Sequence, residues 1–350
     1  MQEKKLKIFK LLPFPKKIQT PQRLNAFAQF ARFRRYYLLT PTPTLKYNAC
    51  MKNTYLKPLF AAFAVAIACL SADAETVRLW GDGQMQGRSA QADTLNKRNM
   101  FSAIKTPTLE LFLAKSDKPN GLVVIAPGGA YKILAYQHSG VQIAEWLNKC
   151  GISAAVLKYR VPNFPAEALA DIQRAIRLVR ANAQAWNVNP DKIGVMGFSA
   201  GANLCARAST NYGKDAYAPV DDADKLSARP DATCLVYPAY CDKQGFDRRW
   251  NNAKFDFDAD IQTLYTPAEN LGVDRNTPPV FIAQSLDDKN YINSGIAYFL
   301  AAKRAGIKAN LHVFEAGGHG YGLAAKSGGL HADWPKLAEK WFAARGFSSK

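Results

Sequence analysis

Gly197-Phe198-Ser199-Ala200-Gly201 is the segment of this chain whose residue types and spacing are best suited to covalent chemistry. A serine with glycines two residues before and after it fits a sharp strand-to-helix turn that pushes the hydroxyl into the open. A serine hydroxyl is a weak nucleophile near neutral pH. It needs a base within hydrogen-bond reach, and the base needs an orienting acid. The chain holds four histidines. His319 lies in the glycine-rich run Ala316–Gly322, directly after a strand-like segment, the place where an open sheet meets its ligands. His312 sits inside a strand-like run and His331 before the last helix, both structural positions. His138 precedes a helix close to Gly128-Gly129, and a substrate-side role is weighed for it beside a structural one. The acid is sought in Asp287-Asp288, after the strand that precedes that of His319. Asp288 is expected to bond the histidine Nδ1 and fix its tautomer, with Asp287 as the alternative. The other member of the pair then serves as a loop residue or helix cap. Asp258 and Asp260 read as solvated charge.

Attack on a carbonyl creates an oxyanion, and losing one preorganised N–H donor to it costs about 3 kcal/mol. One donor is expected from Ala200, the residue after the nucleophile. The other is expected from Pro127-Gly128-Gly129-Ala130-Tyr131, where Gly128 and Gly129 let the backbone approach a substrate closely.

These groups need a frame. Thr76–Trp80 and Pro107–Leu113 read as first, antiparallel strands. Gly121–Ala126 is a continuous apolar run suited to a strand buried on both faces. Ser139–Cys150 is an amphipathic helix, with Val141, Ala144 and Leu147 on one face. Ser153–Val161 is a strand, Ala166–Trp186 a long helix, Lys192–Met196 a strand and Ala200–Ser209 a helix. Ala232–Tyr237, Pro279–Ser285 and Ala309–Phe314 are further strands, with helices at Tyr291–Ala305 and Trp334–Arg345. Strands alternating with helices imply a mostly parallel sheet with helices on both faces. Cys241–Pro278 shows no clear period and reads as an irregular insert. Its Phe246, Trp250, Phe255, Phe257 and Tyr265 either stack on a sugar ring or form the insert's own small core.

Composition bears on location and partners. Residues 1–50 are rich in Lys, Arg, Phe, Tyr and Pro and read as an upstream extension from a mis-assigned start. Met51 then opens a second beginning, with Lys52 and Lys57, the apolar run Leu59–Leu70 and the small-residue site Ala72-Asp73-Ala74. That is a secretory signal peptide over 51–74, too short in its apolar part to span a bilayer. The protein is expected to be exported, periplasmic or secreted, with residues 75–350 as one catalytic domain. Cys69 follows Ala66-Ile67-Ala68 in an incomplete lipobox, so a lipid anchor at Cys69 is the alternative. Beyond residue 74 the chain keeps 33 basic and 26 acidic residues, net +7, spread along its length, unlike the clustered footprint of a nucleic-acid binder. Cys150, Cys205, Cys234 and Cys241 match no zinc spacing. Across a fully extended segment Cys234 and Cys241 would lie ~23 Å apart, against about 6 Å for a disulfide. Free, buried thiols are expected.

In this order, Pro127–Tyr131, Leu157-Lys158-Tyr159-Arg160-Val161-Pro162, Gln173-Arg174-Ala175-Ile176-Arg177, Gly197–Gly201, Asp287-Asp288 and Gly318-His319-Gly320 resemble the bacterial exported esterase and lipase branch of the α/β-hydrolases. That branch includes acetylxylan esterases and related carbohydrate acetyl and feruloyl esterases. The resemblance implies the α/β-hydrolase fold and a Ser-His-Asp carboxylester hydrolase with no metal or cofactor. Its partner would be a small-molecule or oligosaccharide ester, often an acetylated plant polysaccharide fragment. Ser199 would be nucleophile, His319 base and Asp288 acid, with Gly129 and Ala200 as oxyanion donors. Ala130 replaces a frequent third glycine, and Tyr291-Ile292 stands where the branch often has Val-Pro. The alternatives are a feruloyl or general short-chain carboxylesterase, a peptidase, or a non-catalytic binding protein.

Overall fold

Runs of apolar residues flanked by amphipathic helices produce an eight-stranded sheet in the computed structural model, which describes residues 75–350 apart from 255, 257, 258, 325 and 326. The segment 1–50, the leader over 51–74 and Cys69 lie outside the described residues. The strands are β1 Thr76–Arg78, β2 Thr94–Leu95, β3 Phe101–Ala103, β4 Thr108–Phe112, β5 Asn120–Ala126, β6 Ser153–Lys158, β7 Val188–Phe198, β8 Ala232–Val236, β9 Val280–Ser285 and β10 Ala309–Phe314. The helices are α1 Gln142–Lys149, α2 Pro165–Ala181, α3 Ala200–Thr210, α4 Lys243–Trp250, α5 Ile261–Leu264, α6 Ile292–Arg304 and α7 Trp334–Ala343. One π turn, Gln137–Val141, leads into α1.

The main sheet runs β1-β4-β6-β5-β7-β8-β9-β10. β1 with β4 and β4 with β6 are antiparallel, and the remaining neighbours are parallel. Side chains alternate across a strand, and the alternation sorts the core in two. Val124, Val195 and Ile282 face α2, α3 and α6, where Ile176, Leu204 and Tyr298 meet them. Val123, Phe198 and Phe281 face α1 and α7, where Leu147, Trp334 and Phe342 meet them. Each such fully buried Val, Leu, Ile or Phe contributes about 1.5–3 kcal/mol relative to exposure. This is the mostly parallel, helix-covered sheet that the alternating pattern implied, and it agrees with the α/β-hydrolase fold that the resemblance implied.

Several local departures have physical causes. β2 and β3 pair as a small hairpin, with strands of two and three residues, too short to show a period. β7 begins at Val188, ahead of the expected Lys192. Val188 pairs with Asn120 before the register shifts to Ile193 with Leu122, so Pro190 sits in an irregularity and masks the strand in the sequence. α2 ends at Ala181, and Ala183 and Trp186 of the expected longer helix pack from the turn beyond it. The stretch 241–278 contains α4 and α5, helices of eight and four residues, too short to write a clear period into the sequence. Among the described residues no helix is long and apolar enough to cross a membrane. Cys150, Cys205, Cys234 and Cys241 are buried and free.

Candidate active site

The chain leaves β5 to form β6 on one side, then returns to form β7 on the other side of β5. The resulting crevice at the carboxyl ends of β5 and β7 is where open sheets of this class bind ligands. Ala126 pairs with Gly197 across these strands, so the loop after β5 and the turn after β7 leave the sheet at the same height.

Ser199 occupies that turn with φ 55° and ψ −118°, a conformation that costs a non-glycine residue of order 1–3 kcal/mol. Its surroundings enforce it. The Ser199 amide donates to the Val236 carbonyl at 3.1 Å, and its own carbonyl accepts from Ala202, Asn203 and Ala239 at 3.0, 3.2 and 3.2 Å. The flanking glycines are sterically required. A Cβ on Gly197 would lie 2.2 Å from the Gly201 carbonyl oxygen, and one on Gly201 would lie 2.1 Å from that of Ala126.

Ser199 Oγ lies 2.7 Å from His319 Nε2, and His319 Nδ1 lies 2.7 Å from Asp288 Oδ2. An ionised carboxylate only accepts hydrogen bonds. Nδ1 therefore carries the proton, and the Nε2 lone pair faces the serine hydroxyl. The Asp288 side chain is 2% exposed and that of His319 29%, so the acid is shielded while the base keeps an open edge. Between Asp287 and Asp288, the structure puts Asp288 on the imidazole. Asp287 instead accepts from the Gly318 and Gly317 amides at 2.8 and 3.3 Å. The Gly318 amide bond is the main reason its carboxyl is held below the usual aspartate range. It is the loop residue of the pair, holding the histidine loop by its amides.

That loop is fixed from several sides. The His138 ring Nε2 donates to the Gly320 carbonyl at 3.0 Å. The Gly322 amide donates to Tyr237 Oη at 3.2 Å, and the Trp334 indole donates to the Gly322 carbonyl at 2.9 Å. His138 thus lies against the histidine loop, as a support. The rings of Tyr237 and Tyr291 flank His319, with centroids 5.1 and 4.7 Å away. Behind Asp288, the fully buried Gln284 donates to the same Oδ2 at 3.1 Å. Sequence reasoning missed Gln284, Tyr237 and Tyr291. A polar Gln284 in an otherwise apolar run, four residues before the acid, was the available signal for the first.

The loop after β5 carries the other expected groups. Gly129, Ala130 and Tyr131 all have positive φ, at 139°, 57° and 56°. A Cβ on Gly129 would meet the Ile133 carbonyl oxygen at 2.0 Å. The Gly128 amide is taken by Ser139 Oγ at 3.0 Å. Gly128 therefore supplies close approach to the nucleophile, and its N–H is not free as an oxyanion donor. The expectation for Gly128 is corrected on that ground. The Gly129 and Ala200 amides have no protein acceptor among the described residues. Of the insert aromatics, Trp250 packs on Tyr131, Tyr240 and Phe246 at 5.6, 6.4 and 6.5 Å between centroids. Phe246 and Trp250 join the main core from its edge, and Phe255 and Phe257 lie outside the described residues. His312 and His331 stand apart from the serine, His312 stacked on Phe281 and His331 buried beside Tyr321. Among the described residues no three His, Cys, Asp or Glu side chains converge as a metal cage requires.

The chain is similar to known proteins in sequence and in fold. The BD-FAE family pattern matches residues 109–295. The chain is 30% identical to an acetylxylan esterase of Xylanibacter ruminicola over 248 residues, covering 68% of this chain and 48% of that protein. It is 29% identical to endo-1,4-beta-xylanase B of Butyrivibrio fibrisolvens over 228 residues, covering 62% of this chain and 35% of that one. The chain therefore spans half or less of the length of these curated relatives. The crystal structure of an acetyl ester-xyloside bifunctional hydrolase from Caldicellulosiruptor lactoaceticus aligns with TM-score 0.63 and 31% identity, over 80% of this chain and all of that one. The strand order, the turn at Ser199 and the family match together make this chain an α/β-hydrolase that belongs to the BD-FAE family.

Proposed function

We propose that the chain is an exported serine carboxylester hydrolase that removes acetyl groups from sugars derived from plant polysaccharides. The observation that carries this reading is the hydrogen-bonded line from Ser199 through His319 to Asp288, beside two unpaired amides. Ser199 Oγ attacks the ester carbonyl carbon while His319 Nε2 takes its proton. The Gly129 and Ala200 amides receive the developing oxyanion, which they stabilise more than the ground-state carbonyl. Asp288 holds the imidazolium that forms. The C–O bond to the sugar then breaks, and His319 returns the proton to the leaving alcohol. Water, deprotonated by the same histidine, attacks the acyl carbon; the bond to Ser199 Oγ then breaks, His319 returns the proton to Oγ, and acetate leaves. The acetyl and sugar parts of the proposal are supported by the relatives named for acetylxylan and acetyl ester-xyloside hydrolysis. Export is supported by the signal peptide read over residues 51–74.

The purified protein should hydrolyse p-nitrophenyl acetate faster than the butyrate and release acetate from acetylated xylan. Ser199→Ala should lose about 10⁴-fold or more in kcat and resist labelling by a serine-reactive phosphonate. A wild-type protein that neither turns over the ester nor takes the label would refute the reading. Ferulate released from feruloylated arabinose in place of acetate would move the acyl group. N-terminal sequencing of the exported protein should begin at Glu75, and a lipid on Cys69 would replace the soluble form with an anchored one.

A further inference from the structure

The loop that offers the Gly129 amide is conformationally expensive, with three successive residues at positive φ, two of them bearing side chains. A trans peptide plane sets its N–H opposite its C=O, so a bond that fixes a carbonyl also aims the amide behind it. The Gly128 carbonyl accepts from Ala135 at 2.9 Å, which turns the Gly129 amide the other way. The Gly129 carbonyl accepts from Lys132 and Ile133 at 2.9 and 3.0 Å, and the Tyr131 carbonyl accepts from Asn163 at 2.6 Å. The remaining plane, Ala130–Tyr131, is held by the insert. Arg249 Nη2 donates to the Ala130 carbonyl at 3.1 Å and to Asn163 Oδ1 at 2.7 Å.

Arg249 is itself prepared for this contact. It lies on α4, and its guanidinium carbon sits 4.2 Å from the Trp250 ring centroid. Trp250 in turn packs on Tyr131, whose hydroxyl donates to Asn203 Oδ1 at 2.8 Å on α3, the helix that begins after Ser199. Cationic guanidinium groups form stronger, more directional bonds to oxygen than neutral donors do. A single side chain from the insert thus bridges the loop after β5 and the Asn163 turn after β6.

We infer that Arg249 is a positioning residue of the oxyanion loop. Through it the insert over residues 241–278 holds the Ala130–Tyr131 end of the loop, so that the Gly129 amide, aimed by the Ala135 bond, keeps its place at the transition state. The inference rests on the esterase reading for its catalytic consequence and on the loop contacts alone for its structural one. The insert's contribution to the reaction is to brace the hole, in addition to any contact with the leaving alcohol.

The test combines kinetics on p-nitrophenyl acetate with amide hydrogen exchange over residues 128–134, for wild type, Arg249→Ala and Arg249→Lys. A misplacement of about 1 Å can cost about 10²-fold. Arg249→Ala should therefore lower kcat about 10- to 100-fold, with KM changed less than about threefold. Exchange at 129–131 should quicken about tenfold while the strands keep their protection. Arg249→Lys retains a cationic donor and should recover most of both effects. Unchanged exchange, unchanged kcat, or a raised KM with kcat intact would each overturn the inference. Protection lost throughout the sheet would do so as well, because Arg249 would then support only the fold. A wild type inactive on all esters would refute the esterase reading, while the exchange measurements would still decide whether Arg249 holds the loop.

Discussion

Two adjacent aspartates with the same chemistry are given different work by one residue of offset. Asp288 turns inward against His319 and Gln284, whereas Asp287 faces out and caps the Gly317 and Gly318 amides. Asp288→Asn should keep the shape but present the wrong tautomer, lowering kcat about 10³- to 10⁴-fold. Asp287→Asn weakens the loop cap without touching the imidazole and should cost about tenfold or less. The pH dependence of stability tests the Asp287 cap from another side. The folded pKa of Asp287 is depressed, so its ionised form stabilises the native state above the unfolded value, about 3.9 for aspartate. That contribution is lost as pH falls through the lower folded value. Thermal midpoints of wild type and Asp287→Asn should differ above about pH 4 and converge on acidification. A constant gap across the range would contradict the cap.

At the scale of elements, the site is a meeting of loops at the carboxyl ends of β5, β7, β9 and β10, and backbone contact between those elements is what aligns them. Gly201 is a tight junction between elements, because the first turn of α3 presses on the end of β5 with no room for a Cβ. Gly201→Ala should force the elbow away from the strand, destabilise by about 1–3 kcal/mol and reduce kcat together with the thermal midpoint. An alanine variant with wild-type midpoint and rate would show that the junction has slack. The glycine spacing in Gly197–Gly201 and the strand and helix around it were legible in the sequence, because a local turn leaves a local signature. The bracing of the loop after β5 by α4 was not, because Ala130 and Arg249 are 119 residues apart and the insert has no period to read.

For the whole molecule, a buried ionic cluster joins the segment after β1 to the turn after β6 and to α2. The Arg160 and Asp171 side chains have no exposed surface and lie 2.8 Å apart. Asp171 also accepts from the Trp80 indole at 2.9 Å, and Arg160 Nη1 donates to the carbonyls of Gln86 and Arg88. Nearby, Arg174 pairs with Asp221 and Asp224. Removing one member leaves the other charged and uncompensated. Arg160→Met should lower stability by about 3–5 kcal/mol, read as a shift of the urea midpoint, and Asp171→Leu added to it should recover part of the loss. A double variant no better than the single one would argue against a paired charge.

The sequence by itself determined the main strands and helices and their order, though not β2, β3, α4 and α5, because burial on both faces of a parallel strand and on one face of a helix writes a period into the chain. It determined Ser199 and His319 as chemical candidates, because the elbow and the glycine loop are local patterns. Only the tertiary structure decided that Asp288 and not Asp287 meets the imidazole, that Ser139 takes the Gly128 amide, and that Arg174 and Arg177 are buried. Those outcomes depend on side-chain direction and on partners tens of residues away, and neither leaves a mark at any one position of the chain.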